Sequence, residues 1–218
     1  MTAPELVAAG IDYRRGGRQI LDGVDVRAPA GEVLAVTGPS GSGKSSLLAV
    51  LAGLEPAGGD VWLDGEPLSR GDVGSRRRFG LVLQGYGLVS ILTATENVEV
   101  VLQARGLDRA TVRQRAAAAL ASVRLDGHGD QLVEELSGGQ QQRVAVARAL
   151  VTEPEVLLAD EPTAELDAEM RQVVLDLLFG AARRGAIVVI ATHDTDVATA
   201  CDRELRLVGG RPASHLPN

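Results

Sequence analysis

Four short runs of nearly continuous hydrophobic residues frame this chain: VLAVT (33–37), FGLVL (79–83), VLLAD (156–160) and AIVVIAT (186–192). A strand with one face in water alternates apolar and polar residues, whereas a strand covered on both faces does not. Such runs, separated by stretches of helical spacing, predict parallel strands in the middle of an α/β sheet. The pattern differs ahead of them. Leu6–Tyr13 and Ile20–Val26 read as antiparallel strands joined by a turn around RRGGR, and DVWLDGEPL (60–68) reads as a hairpin with Asp64-Gly65 at its turn.

From residue 94 to about 151 the alternation of strand and helix breaks. Helices are expected near 94–105, across DRATVRQRAAAALASVRL, and from Gly138 onward, so residues 85–140 form a helical insertion between two strands of the main sheet. Asp167 suits the N-cap of a helix reaching Arg184, with Gly185 at the position after its end. The tail GGRPASHLPN has little to bury and is expected to be loose. One domain over 1–218 accommodates all of this.

Composition narrows the functional classes. Only 2% of residues are aromatic, so a core must be built from Leu, Val and Ala. No apolar run approaches the ~18 residues that cross a bilayer, and the first residues lack a basic stretch followed by an apolar one. Cys201 stands alone and cannot make an internal disulfide, which suits a reducing cytoplasm. A net charge of −7 argues against a sequence-independent grip on nucleic acid.

Of the 22 basic residues only one is lysine, Lys44, and it sits in GPSGSGKSSL. Gly38, Pro39, Ser40, Gly41, Ser42, Gly43, Lys44 and Ser45, followed by Ser46, match the spacing G-x-x-x-x-G-K-[ST] between a buried strand and an apolar-faced helix. Glycines let backbone N–H groups wrap phosphate oxygens, and the helix N-terminus adds a positive end. An ammonium on a flexible stem fits so tight a nest, where a flat guanidinium does not. Ser45 can ligate Mg²⁺. The motif points to a nucleotide, without saying which class of nucleoside triphosphatase.

VLLADE (156–161) ends a buried strand with two acids. Asp160 suits Mg²⁺ held through water, and Glu161 can polarise a water aimed at the γ-phosphate. In ELSGGQQQRVAVARAL (135–150), Ser137 and Gln140 make a capping-box pattern with Gly138 and Gly139 between them. Two glycines in a first helical turn cost roughly 1 kcal/mol each against alanine. The expected gain is a set of approachable N–H groups, a second anion site, and a chain with two such ends is expected to share each nucleotide with another chain.

With these motifs in order, residues 6–208 resemble the ATP-binding cassette (ABC) ATPases. Leu136–Gln140 looks like the family's LSGGQ signature. Gln84 matches the glutamine that senses γ-phosphate and Mg²⁺, Leu166-Asp167 the D-loop, and His193 the switch histidine. Tyr13, 25 positions before Gly38, matches the aromatic that stacks on adenine. Each also has a plainer reading: Gln84 as a surface amide, Asp167 as a helix cap, His193 as a strand-end histidine, Tyr13 as a strand aromatic. The resemblance implies a P-loop core with a mostly parallel sheet, an antiparallel N-terminal β subdomain and an inserted helical subdomain. It further implies ATP and Mg²⁺ as cofactors. Two subunits, most simply a homodimer, would pair head to tail around two ATPs and drive a membrane permease from the cytoplasmic face of the inner membrane. Catalysis falls to Glu161, His193 and Gln84, metal binding to Ser45, Gln84 and Asp160, and nucleotide contact in trans to Ser137–Gln140.

LLADEPT, LSGGQQQRVA and LTATENV (92–98) are similar to the macrolide-exporter and lipoprotein-release branch, whose permeases have few helices and a large extracytoplasmic region. Two places depart from the common pattern: Gly85-Tyr86-Gly87 after the glutamine, and Glu165 in TAELD. A cassette acting on cell-wall hydrolases through a related permease fits the same motifs. Soluble cassettes of translation or DNA repair fit less well, because only about 90 residues separate the phosphate loop from the signature.

Overall fold

The computed structural model describes residues 4–68, 74 and 77–213. Residues 214–218 of the tail lie outside the described residues.

Two sheets form. The N-terminal one has the order β2-β1-β4-β5 and is antiparallel: β1 (Glu5–Arg15), β2 (Arg18–Pro29), β4 (Gly58–Leu63) and β5 (Glu66–Pro67). Asp64 and Gly65 turn the β4–β5 hairpin with φ of 56° and 79°, the pair of left-handed residues that a two-residue hairpin asks for. The second sheet has the order β10-β9-β3-β8-β7-β6, built from β3 (Val33–Thr37), β6 (Phe79–Val82), β7 (Val156–Asp160), β8 (Ile187–Ala191), β9 (Arg203–Val208) and β10 (Arg211–Pro212). All neighbours in it are parallel except the β9–β10 hairpin.

Three of the four apolar runs, β3, β7 and β8, are central strands with every residue buried, while the fourth, β6, is the edge of the sheet beside β7. Their alternate residues feed two cores. Leu34, Val36, Val156, Leu158, Ile187 and Val189 face the N-terminal sheet and helix α1 (Lys44–Leu51). Leu157, Ala159, Val188 and Ile190 face the helices α2 (Ala94–Gln103), α3 (Arg109–Ser122), α4 (Gly138–Leu150), α5 (Ala168–Arg183) and α6 (Thr195–Ala200). Burial of each such Leu, Ile or Val contributes about 1.5–3 kcal/mol on both sides of the sheet, which explains a run with no polar gap.

The helices begin where short polar side chains can accept orphan N–H groups. Thr93 and Glu96 form a capping box on α2, Asp108 caps α3, and Asp167 caps α5 by accepting from Met170 N–H at 2.9 Å. Gly185 follows α5 with φ 98°. Helix α2 buries Ala94, Val98 and Leu102, and α3 buries Val112, Ala116 and Leu120, each a row at i, i+4, i+8.

Two expectations change. Residues 209–213 of the tail are held to the fold, because Arg211 binds Asp22 and a Cβ on Gly210 would lie 2.3 Å from the Ile20 carbonyl oxygen. Tyr13 does not present its ring: it is 3% exposed within the core facing the N-terminal sheet. The cause is a bulge after Ala8, where Gly10 takes φ 61° and the inward alternation Leu6, Ala8 restarts as Ile11, Tyr13.

Candidate nucleotide site

The parallel register brings the carboxyl ends of β3, β8, β7 and β6 side by side, with Val36 against Ala191, Asp160 against Ala191, and Ala159 against Val82. The phosphate loop leaves β3, His193 follows β8, Asp160 and Glu161 end β7, and Gln84 stands exposed in the turn after β6. A crevice at such an edge is where open α/β sheets bind ligands.

The loop 38–43 is shaped by backbone that only glycine tolerates. Gly38 has φ 140°, and a Cβ there would meet the Leu207 carbonyl oxygen at 2.1 Å; Gly43 has φ 103° and would press on Leu21. Gly43 is the N-cap of α1 and no side chain caps that helix. Its positive end is therefore left to whatever anion the loop receives. Lys44, 8% exposed, donates from Nζ to the carbonyls of Gly38 at 2.9 Å and Pro39 at 3.3 Å, so its ammonium is folded onto its own loop. The buried Ser42 hydroxyl has no protein partner.

Ser45, in the first turn of α1, lies beside the Asp160 carboxylate, whose Oδ1 is buried without a partner. Burial holds Asp160 above the usual carboxylate range; the neighbouring Ser45 hydroxyl and the Lys44 charge pull it down, and the Glu161 charge pushes it up. An orphaned carboxylate oxygen beside a hydroxyl is what a hard cation with few protein ligands takes up, and Mg²⁺ fits it.

Glu161 sits in left-handed backbone, φ 48°. Its Oε1 accepts the His193 N–H at 3.1 Å and lies 2.7 Å from His193 Nδ1, while Thr192 Oγ1 donates to Oε2 at 3.2 Å. Thr192 is 1% exposed and accepts in turn from the Asp194 N–H. Asp194 is tied to Arg171 at 2.8 Å. The carboxylate is thus held by two donors, with the His193 ring as a third contact. Thr192, absent from the sequence reading, is a buried polar residue at a strand end, a signal that a lone threonine in an apolar run does carry.

The capping box on α4 forms as expected: Ser137 Oγ accepts from Gln140 N–H at 3.3 Å, and Gln140 Oε1 accepts from Ser137 N–H at 2.8 Å. The close neighbours of Gly138 and Gly139 are Tyr86, Glu165 and Leu166, not the phosphate loop. One subunit therefore holds two separate anion-seeking helix ends.

Residues 21–164 match the family model described as ABC transporter. The chain belongs to the ABC transporter ATP-binding family. It is 45% identical over 199 residues to an uncharacterized ABC transporter ATP-binding protein, YbbA, of Escherichia coli, covering 88% of this chain and 87% of that one. It is 41% identical over 199 residues to the macrolide export ATP-binding/permease protein MacB of Brucella melitensis, covering 88% of this chain and 31% of that protein. Among solved structures, the dimeric bacterial ABC transporter cassette MJ0796 superimposes with a TM-score of 0.88 at 33% identity, covering 95% of this chain and 96% of that one. A post-hydrolysis state of that cassette, bound to ADP and Pi, gives a TM-score of 0.87. This cassette is an ATP-binding, ATP-hydrolysing subunit of an ABC transporter.

Two residues to which the sequence reading gave no role tie down loops of the chain. Asn97, fully buried, donates from Nδ2 to the carbonyls of Val89 and Thr93 at 3.0 Å and accepts the Val89 N–H at 2.8 Å, which fixes the loop 89–93. Arg148 on α4 donates to the carbonyls of Tyr86 and Gly87. Cys201 has no such role: burial pushes its thiol up to about 11.

Proposed function

We propose that two copies of this cassette close head to tail, each nucleotide held by Gly38–Ser46 of one subunit and by Ser137–Gln140 of the other. Lys44 unfolds from the Gly38 carbonyl onto the β- and γ-phosphates. Ser45 and Asp160, with Gln84 at the neighbouring strand end, hold Mg²⁺, which when bound neutralises charge developing on the phosphates. Glu161 takes the proton of the attacking water, kept in position by Thr192 and His193. Tyr13 is left out, since its ring is enclosed. The single observation that carries this reading is the orphaned, buried Asp160 oxygen next to Ser45 at the mouth of an uncapped phosphate loop.

The whole chain acts as one such cassette, with the insertion 85–140 as its permease-facing part. Val89 and Ile91, 44% and 79% exposed, stand on the loop that Asn97 fixes, and this apolar face receives a cytoplasmic helix of the permease. The cassette works as a peripheral subunit on the cytoplasmic face, as a homodimer, without nucleic acid. The MacB likeness favours a permease of few helices with a large outer domain. Sedimentation of the Glu161→Gln variant tests the core of this reading: with Mg-ATP it forms a stable dimer carrying two nucleotides. A variant that stays monomeric at saturating ATP overturns it. Capture from gently solubilised membranes then brings down a polytopic permease with the wild type, and loses it with Ile91→Asp.

A further inference from the structure

The two departures from the common family pattern, Tyr86 and Glu165, meet in space. Gly85, Tyr86 and Gly87 take three successive left-handed conformations, φ 77°, 65° and 59°. At a tyrosine this costs of order 1–3 kcal/mol and persists only where the surroundings impose it. Here they do: the Arg148 guanidinium donates to the Tyr86 carbonyl at 3.0 Å and the Gly87 carbonyl at 2.7 Å, locking the loop to α4. The Tyr86 side chain packs against the core on the helical side.

The locked loop delivers the phenol to the start of α4. A Cβ on Gly138 would lie 3.1 Å from the Tyr86 hydroxyl oxygen and 3.3 Å from Glu165 Oε2; a Cβ on Gly139 would lie 2.7 Å from the Glu165 carbonyl oxygen. Carboxylate and phenol thus converge over the first residue of the helix. Burial, and after it the Glu165 charge, hold the Tyr86 phenol above its usual value, so a neutral hydroxyl lies next to the carboxylate. A negative charge at a helix N-terminus is favoured by the aligned peptide dipoles.

We propose that Glu165, steadied by Tyr86, is an internal anion at the N-terminal end of α4 that competes with the phosphates of the nucleotide presented by the second subunit. The proposal rests on the reading of α4 as a phosphate-binding end. Pairing then requires the incoming phosphate to displace a charge the subunit supplies itself, which raises the ATP concentration needed for closure. Glu165 and Tyr86 are positioning residues in this scheme. Neither touches the reacting atoms.

The test is ATP-driven dimerisation followed by light scattering in the Glu161→Gln background. Glu165→Gln keeps the side-chain shape and removes the charge, and lowers the half-saturating ATP about two- to fivefold at low salt, the range for one charge at a helix end. The gain shrinks at high salt, where a purely structural effect would persist. Tyr86→Phe gives a smaller shift in the same direction and adds nothing on top of Glu165→Gln. An unchanged or higher midpoint for Glu165→Gln, or a shift indifferent to salt, overturns the proposal. Ser137→Ala separates the two layers: if it weakens pairing while Glu165→Gln does nothing, the internal anion alone fails. If Ser137→Ala leaves the midpoint untouched, the reading of α4 fails and takes the proposal with it.

Discussion

The cassette has two glycine-rich helix N-termini, at α1 and at α4, and they use glycine for opposite reasons. At α1 the glycines bend the backbone: Gly38, Gly41 and Gly43 all have positive φ, and the helix they open has no side-chain cap. At α4 neither Gly138 nor Gly139 has positive φ, and Ser137 with Gln140 forms a capping box. There the missing Cβ atoms make room for Tyr86 and Glu165. An uncapped end shaped by strained backbone is complete only with its ligand. A capped, closely packed end is finished without one and can only be met by something brought to it. The difference accords with the proposed division of labour, one end in the subunit's own nucleotide site and the other offered to a partner.

The strongest way to break this contrast is at Lys44. Lys44→Arg keeps the charge but not the shape, and phosphate release falls roughly 10³-fold or more, as for other lost cations on a transferring phosphoryl group. An arginine variant that retains a tenth of the activity would show that the nest is not tight. Next comes Glu161→Gln, which slows single-turnover hydrolysis by about 10²–10⁴-fold while ATP binding holds. Equal loss of binding would mean that Glu161, through its bonds to Thr192 and His193, supports the loop rather than the chemistry.

Gly139→Ala and Gly41→Ala sharpen the contrast directly. The first forces a Cβ to 2.7 Å from the Glu165 carbonyl oxygen. It lowers stability by about 1–3 kcal/mol and abolishes ATP-driven pairing, while binding of ATP by the single subunit is unaltered. The second finds nothing within 4 Å but must hold φ 76°. It costs about 1–2 kcal/mol of strain and weakens ATP binding itself. Calorimetry and nucleotide titration of the two variants read both effects.

The smallest effect is on stability at Asp160. Burial raises its carboxyl above the ordinary value, so the ionised form is a burden in the folded state. Wild type fares best against Asp160→Asn in acid, below the ordinary carboxylate value. It loses that ground as pH rises through the raised one. At neutral pH without nucleotide the asparagine variant is the more stable, by a few degrees at most, since 1 kcal/mol moves Tm by about 2–4 °C at this size. Thermal scans across that pH window check the sign.

Much of this was legible from residues alone. VLAVT and VLLAD are β3 and β7 to the residue, because a strand buried on both faces leaves an unbroken apolar run. β9 was missed for the complementary reason: RELRLV buries only Leu207 completely and reads as polar, although Arg203–Arg206 pairs with Leu34–Thr37. Helix α6, six residues long, is too short for a periodic signal. Tyr13 stood at the expected spacing, yet one extra residue in a bulge turned it inward. Spacing along a chain fixes distance in sequence, and a bulge changes which face that distance reaches.

The sequence by itself determined the chemistry that depends on residue type at short range: the phosphate loop, the paired acids, the capped signature helix and the central strands. Each is a local pattern whose partners lie within a few residues. The tertiary structure alone decided what meets across the fold: Thr192 and His193 on Glu161, Arg148 on the Tyr86 loop, Glu165 over Gly138. Those contacts join residues 31, 62 and 27 positions apart. Only the parallel register of β7 with β8 and the packing of α4 bring them within reach, because such pairs gain their energy from a geometry that no local stretch of the chain encodes.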